Sequence, residues 1–125
     1  MIDHLSLAVS DLDRAVRLYE AMLAPLGLTK LVVRPRTVGF GKAYPEIWLN
    51  LREGMAKLPA DNGAHICLRA RTTAEIDAFH AAAVAAGGIS ESGPSLRPHD
   101  RVKYYASFVN DADGNRVEAV TFPQD

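Results

Sequence analysis

Hydrophobic and polar positions along the chain fall into two successive blocks of the same design. In residues 2–9, Leu5, Leu7 and Val9 line one face of a predicted strand, and His4, Ser6 and Ala8 the other. Ser10 or Asp11 caps a helix with apolar positions at Leu12, Ala15, Val16, Tyr19, Met22, Leu23 and Leu26, spaced by three and four. Pro25 and Gly27 mark its end. Short strands follow at Leu31–Val33 and Val38–Phe40, separated by Arg34, Pro35 and Arg36. A longer one, Glu46–Leu51, sets Ile47, Leu49 and Leu51 against Glu46, Trp48 and Asn50. The first block therefore reads β-α-β-β-β.

A polar connector over residues 52–63 precedes a second block in the same order. Ala64–Ala70 is a strand with Ile66 and Leu68 opposite His65, Cys67 and Arg69. Thr72 and Glu75 form a capping box for a helix that turns Ile76, Phe79, Ala83 and Val84 inward and stops at Gly87 and Gly88. A weak strand near Ile89–Ser92 leads into a Pro- and charge-rich loop from Gly93 to Lys103. The block closes with a hairpin, Tyr104–Val109 and Arg116–Val120, joined by Asp-Ala-Asp-Gly-Asn, residue types that tolerate positive φ. The blocks align at an offset of 61 residues: His4 with His65, Leu5 with Ile66, Leu7 with Leu68, Gly27 with Gly88. The pattern predicts an α+β fold of two βαβββ modules, about residues 1–53 and 64–125. Together they form one domain with an open, mixed eight-stranded curved sheet around a cleft.

Composition narrows this picture without redirecting it. The chain has 125 residues, 48% hydrophobic and 23% charged, with a net charge of -1, values of an ordinary globular domain. That balance argues against nucleic acid or an anionic membrane surface as partner. No apolar run reaches the roughly 20 residues of a membrane span, and the start is no signal peptide. Cys67 stands alone, so no internal disulfide framework exists and a cytoplasmic setting is expected. Its plainest reading is a small buried hydrophobe.

The chemistry begins with Glu118, a carboxylate within an otherwise apolar strand. Burying it is costly unless it is paired, protonated or bound to a metal. Alternation puts it on the face opposite Val117 and Ala119, as it puts His4 and His65 opposite the helix-packing residues of theirs. If the two modules pair with pseudo-twofold symmetry, these faces converge on one concave surface. Two imidazoles and a carboxylate with open positions suit one divalent ion, Fe, Mn, Ni or Zn. The bland alternatives are hydrogen-bonded structural histidines and an ion pair of Glu118 with Arg69 or near Arg116.

The βαβββ duplication, the opening Ile-Asp-His-Leu, the second-block Ala-His-Ile and the closing Asp-Ala-Asp-Gly-Asn-Arg-Val-Glu resemble the vicinal oxygen chelate superfamily. That superfamily includes glyoxalase I, extradiol dioxygenases, methylmalonyl-CoA epimerase, and fosfomycin- and bleomycin-resistance proteins. The resemblance covers essentially the whole chain; Ala112 replaces the usual Pro of the closing turn. It implies His4, His65 and Glu118 as metal ligands, with Glu118 also acting in catalysis, on a small substrate that chelates through adjacent oxygens. It further implies a homodimer, sometimes with modules paired across chains. Members with four protein ligands carry a carboxylate where Trp48 stands here. That weakens the likeness to glyoxalase I itself, unless Glu46, two residues earlier, takes the role. Trp48 is then a wall or stacking surface for substrate. Tyr105, Arg69 and Arg101 are further substrate-binding candidates, with the 98–101 loop as a lid or anion clamp and His99 as a possible base. The reactions implied are those of a lyase, isomerase, resistance-type transferase or dioxygenase. The alternative is a metal-free binder of the bleomycin-resistance type. The length of a single domain tilts away from extradiol dioxygenases.

Overall fold

A computed structural model describes residues 1–124. The element order is β1 (Leu5–Val9), α1 (Leu12–Leu23), a 3-10 turn (Ala24–Leu26), β2 (Thr29–Val33), β3 (Thr37–Gly41), β4 (Pro45–Leu51), β5 (Ile66–Arg69), α2 (Thr73–Ala85), β6 (Ile89–Arg97), β7 (Tyr104–Asn110) and β8 (Arg116–Thr121). This is the expected α+β class with two βαβββ modules. The eight strands are shared between two four-stranded sheets, ordered β1-β4-β3-β2 and β5-β8-β7-β6, and do not run as one sheet within the chain. Each sheet joins its first and last strand in parallel and the others antiparallel.

The helices begin where their caps place them. The Asp11 carboxylate accepts from Arg14 N at 3.0 Å, and Thr72 Oγ1 from Glu75 N at 3.1 Å. The Glu75 carboxylate closes the capping box and reaches one residue further, bonding the backbone of Thr72 and accepting from Arg71 N at 2.7 Å. Val84, expected inside, is exposed. The β6 strand continues to Arg97 instead of giving way to loop at Gly93. It is the edge strand of its sheet, where register shifts between Ser90 and Ser95 accommodate the Gly-Pro step.

The helices pack on one another, α1 against the first sheet and α2 against the second. One core results, with Val9, Leu18, Tyr19, Met22, Phe40 and Leu49 from the first module and Ile76, Phe79, Val109 and Val117 from the second. The helix-facing side of each sheet is thus covered, and the opposite sides, carrying His4 and Trp48 or His65 and Glu118, look away from the shared core.

A buried polar knot ties the modules together. The turn between β7 and β8 carries Asp111, Asp113 and Asn115, all at most 8% exposed. Asp111 Oδ2 accepts from Tyr19 Oη and Asn115 Nδ2, at 2.8 and 2.9 Å, while Oδ1 accepts from the backbone of Asp113 and Asn115. Asp113 takes Ser10 Oγ at 2.5 Å and Ser10 N at 3.0 Å. Asn115 Nδ2 also donates to Ala8 O. Gly114, at φ 90°, sits under the connector, where a Cβ would come within 2.9 Å of Leu58 O. Burial, then the Asp111 charge, push the Tyr19 hydroxyl well above its ordinary pKa, so it remains a donor. Tyr19→Phe removes a hydrogen bond from a buried carboxylate and is expected to cost about 1–2 kcal/mol. Tyr105→Phe, which loses a more exposed bond to Asp77, should cost less than about 0.5 kcal/mol. Urea denaturation of both variants checks the contrast; equal losses would show that the knot is not the stronger tie.

Candidate functional site

The outward face of the second sheet gathers a compact polar centre. The parallel register pairs Cys67 with Glu118, and the antiparallel register pairs Phe108 with Glu118. His65 and Cys67 from β5, Glu118 from β8, and Tyr104 and Phe108 from β7 therefore share one surface. Nε2 of His65 lies 3.1 Å from Glu118 Oε1, with the imidazole 38% exposed and the carboxylate 3%. Tyr104 Oη donates to Glu118 Oε2. Glu118 is thus sealed beneath its own neighbours with both oxygens engaged, which answers its burial problem within the chain.

Aromatic rings and guanidinium groups surround this centre. Phe108 lies 5.7 Å from the His65 ring, and Phe122 meets Tyr104 edge-on at 5.3 Å. Arg116 and Arg97 lie 4.5 and 5.8 Å over Phe108, and Arg69 4.5 Å over Phe122. His99 stacks on Tyr104 at 6.1 Å, so the 98–103 loop reaches the edge of the centre. Arg101 is exposed within that loop; its backbone N–H donates to His99 Nδ1, and its side chain lines an open depression with Lys103 and Phe122.

His4 occupies the matching place on the first sheet. It is 53% exposed, with Nδ1 2.7 Å from Asp3 Oδ2, beside Ser6, Trp48 and Asn50. The registers align Ser6 with Trp48 and Cys67 with Glu118, so Trp48 stands at the repeat position of Glu118. Glu46 turns to Lys42 N instead, at 3.2 Å. Trp48 lies flat across its cross-strand partner Gly39, where a Cβ would come within 2.9 Å of the indole. Arg34 covers the ring at 5.6 Å. Of the three expected ligands, one chain brings together His65 and Glu118 and holds His4 on the other sheet. Among the described residues no three of His, Cys, Asp and Glu are placed to hold one metal ion.

Tyr105 and Cys67 differ from expectation. Tyr105 faces α2, donating to Asp77 Oδ1 at 2.5 Å, and Ser107 is fully buried on the same side. Neither reaches the Glu118 face; Tyr104, one residue earlier, does. Counting back from the Asn110–Arg116 pair that closes the hairpin would have found it. Cys67 is exposed and not buried.

The profile of the Glyoxalase/Bleomycin resistance protein/Dioxygenase superfamily matches residues 1–119. The chain belongs to this superfamily. Among solved structures, a glyoxalase/bleomycin resistance protein from Albidiferax ferrireducens is 27% identical with a TM-score of 0.82, over 94% of this chain and 96% of that one. A glyoxalase/bleomycin resistance protein/dioxygenase from Alicyclobacillus acidocaldarius (18%, TM-score 0.72, 100% and 93%) shares the fold. So does a lactoylglutathione lyase from Agrobacterium tumefaciens (23%, TM-score 0.66, 96% and 92%). No curated protein matches the chain. No helix among the described residues is long and apolar enough to cross a membrane.

For this glyoxalase-superfamily protein, Cys67 reports on the centre. Its thiol is pushed up to about 12, first by desolvation against its neighbours and then by the Glu118 charge. At pH 8 the thiolate fraction is therefore small, and despite exposure Cys67 is expected to react with iodoacetamide at least about tenfold slower than a free cysteine. The rate should go on rising with pH beyond 9, and Glu118→Gln should speed it. Timed alkylation followed by mass spectrometry checks both; a rate that levels off near pH 9 would contradict this environment.

Proposed function

We propose that this superfamily member is a metal-dependent enzyme acting on a small substrate that chelates through adjacent oxygens. Its site is completed by a second copy of the chain. The observation that carries this reading is the His65–Glu118 pair on the outward face of one sheet, with His4 at the repeat-equivalent place on the outward face of the other. A homodimer that sets the first sheet of one copy over the second sheet of the other would unite the three.

The donor chemistry fits a divalent ion such as Fe, Mn, Ni or Zn. His65 Nε2 and Glu118 Oε1 converge at 3.1 Å. The Nδ1 atom of His4 is engaged by Asp3, the carboxylate–histidine arrangement that orients a metal-bound imidazole through its other nitrogen. Bound there, the ion would supply Lewis-acid polarisation and a template for two substrate oxygens. The chain's own groups do the rest. Tyr104 fixes the Glu118 carboxylate through Oε2, leaving Oε1 directed at His65. Phe108 and the partner sheet's Trp48 would wall the cleft and exclude water. In this reading Glu118 would be the group that exchanges a proton with substrate, with Tyr104 holding its orientation. The reaction in this reading is that of a lyase, isomerase or transferase, in which oxygens are held while a neighbouring bond rearranges. One observation favours a second reading, a metal-free binding protein: both Glu118 oxygens already have partners within the chain.

Complementation tests site and assembly together. His4→Ala and Glu118→Ala should each abolish stoichiometric metal uptake. Unfolding and refolding them as an equal mixture should restore about a quarter of the sites, because half of random dimers pair the variants and each such dimer regains one intact site of two. Elemental analysis of the mixture reads this directly. No recovery would place the ligands in one chain or deny the site; wild-type protein that ignores added metal would favour the binding module.

A further inference from the structure

The connector between the modules carries a reactive pair that the Glu118 face does not use. It passes over the turn between β7 and β8, tied there by Leu58 N, which donates to Asp113 O at 2.9 Å. Beyond that tie the chain turns through left-handed backbone at Asp61 (φ 53°) and at Gly63 (φ 89°). Asn62 stands between them, exposed and directly ahead of the glycine. Its Nδ2 donates to Pro59 O at 3.2 Å, and its Oδ1 accepts from Ala64 N at 3.0 Å. The second bond folds the side chain over the Gly63 peptide and draws Asn62 Cγ toward the Gly63 nitrogen. It also sets an N–H donor on the oxygen that takes up negative charge when that nitrogen attacks, as an oxyanion hole does. Gly63 has no side chain to hinder the approach, and nothing lies within 4 Å of where its Cβ would be. The other asparagines lack this combination. Asn50 and Asn110 are half-buried ahead of Leu51 and Asp111, and Asn115 is buried ahead of Arg116. Asp113 also precedes a glycine, but its buried carboxylate is held by Ser10.

We propose that the connector modifies itself at Asn62. The Gly63 nitrogen attacks Asn62 Cγ, gives its proton to water and expels the side-chain amide as ammonia, closing a succinimide ring. Water then opens the ring at either carbonyl, leaving aspartate or isoaspartate. One water is taken up and one ammonia released. The place of Asn62 gives the change its effect, because it lines the depression that His65 and Arg116 also line. The new carboxylate stands next to Asp61, a like charge, and the donor to Pro59 O is gone. Isoaspartate further adds a carbon to the main chain shortly before His65. Repulsion and the lost bond loosen this end of the connector, and with it the tie from Leu58 to Asp113. The modification lies beyond the proposed function and needs neither a metal nor a second copy.

The experiment ages full-length protein at pH 8 beside the same chain unfolded in urea. Peptide mass mapping follows the amide-to-acid mass gain at each asparagine, and electron-transfer fragmentation separates aspartate from isoaspartate. In the folded protein Asn62 is expected to convert about tenfold faster than Asn50, Asn110 or Asn115, and at least as fast as in the unfolded chain. Ala64→Pro removes the N–H that faces Oδ1 and should slow conversion in the folded protein only. Gly63→Ala crowds the nitrogen and should slow it in both states, an answer that stands even if Ala64→Pro fails to fold. Hydrogen exchange at the Leu58 amide should quicken in the aged protein and in Asn62→Asp. No conversion at Asn62, a folded rate below the unfolded one, or equal conversion at all the asparagines overturns the inference. Aged protein whose Leu58 amide exchanges at the unmodified rate overturns the loosening.

Discussion

The hydrogen bonds that converge on Asp111 and Asp113 decide how the two halves of the chain stand to each other. Each carboxylate is all but sealed from water, and each takes a donor from the first module: Tyr19 from the inner face of α1, Ser10 from the β1–α1 junction. An unpaired carboxylate there would cost more than most packing contacts contribute, so the turn cannot drift from the first module without a severe penalty. Because the turn joins β7 to β8, the same bonds set the second sheet against the first through the helices. The back-to-back arrangement of the modules follows from the polar knot as much as from the apolar core.

That arrangement has a functional consequence. With the helix sides of both sheets facing inward, the two chemically furnished sides must face outward, and a chain by itself presents them on separate surfaces. The halves are unequal. One holds a carboxylate, an imidazole, a phenol and a ring of arginines; the other offers an imidazole backed by Asp3 and a flat indole laid over Gly39. Trp48 occupies the position at which Glu118 sits in the other half, so the repeat position that holds a carboxylate on one sheet holds an aromatic surface on the other.

What was legible in the sequence were properties carried by alternation and repetition. The period of two within β1, β4, β5 and β8 placed Leu5, Ile47, Ile66 and Val117 inside and His4, Trp48, His65 and Glu118 on the opposite sides. The 61-residue offset supplied both modules, and the Ser6–Trp48 and Cys67–Glu118 registers agree with it. Features that depend on counting across a turn were harder to read. A single residue more or fewer in the turn over residues 111–115 would exchange the faces of β7, which is why Tyr105 was expected where Tyr104 stands. The Gly93–Pro94 step reads as loop by composition, yet an edge strand can bulge past it, since its outer hydrogen bonds have no partner to lose. Cys67 reads as core by residue type, and only its β5 neighbours place it outside.

The same counting explains why Arg97 escaped notice. Its residue lies beyond the Gly-Pro step, in a segment with no visible periodicity, and its side chain folds back to Ala106 O across the sheet. Long side chains of an edge strand can reach sites that no strand pattern assigns to them. Here that reach matters electrostatically. The centre of the face holds one carboxylate whose hydrogen bonds involve a phenol and an imidazole, while guanidinium groups stand at its rim on aromatic rings. A divalent ion at the centre and guanidinium groups at the rim would act on different parts of one molecule, the first on its reacting oxygens and the second on its orientation. A change at Arg69 or Arg97 would then leave the residues proposed to hold a metal untouched.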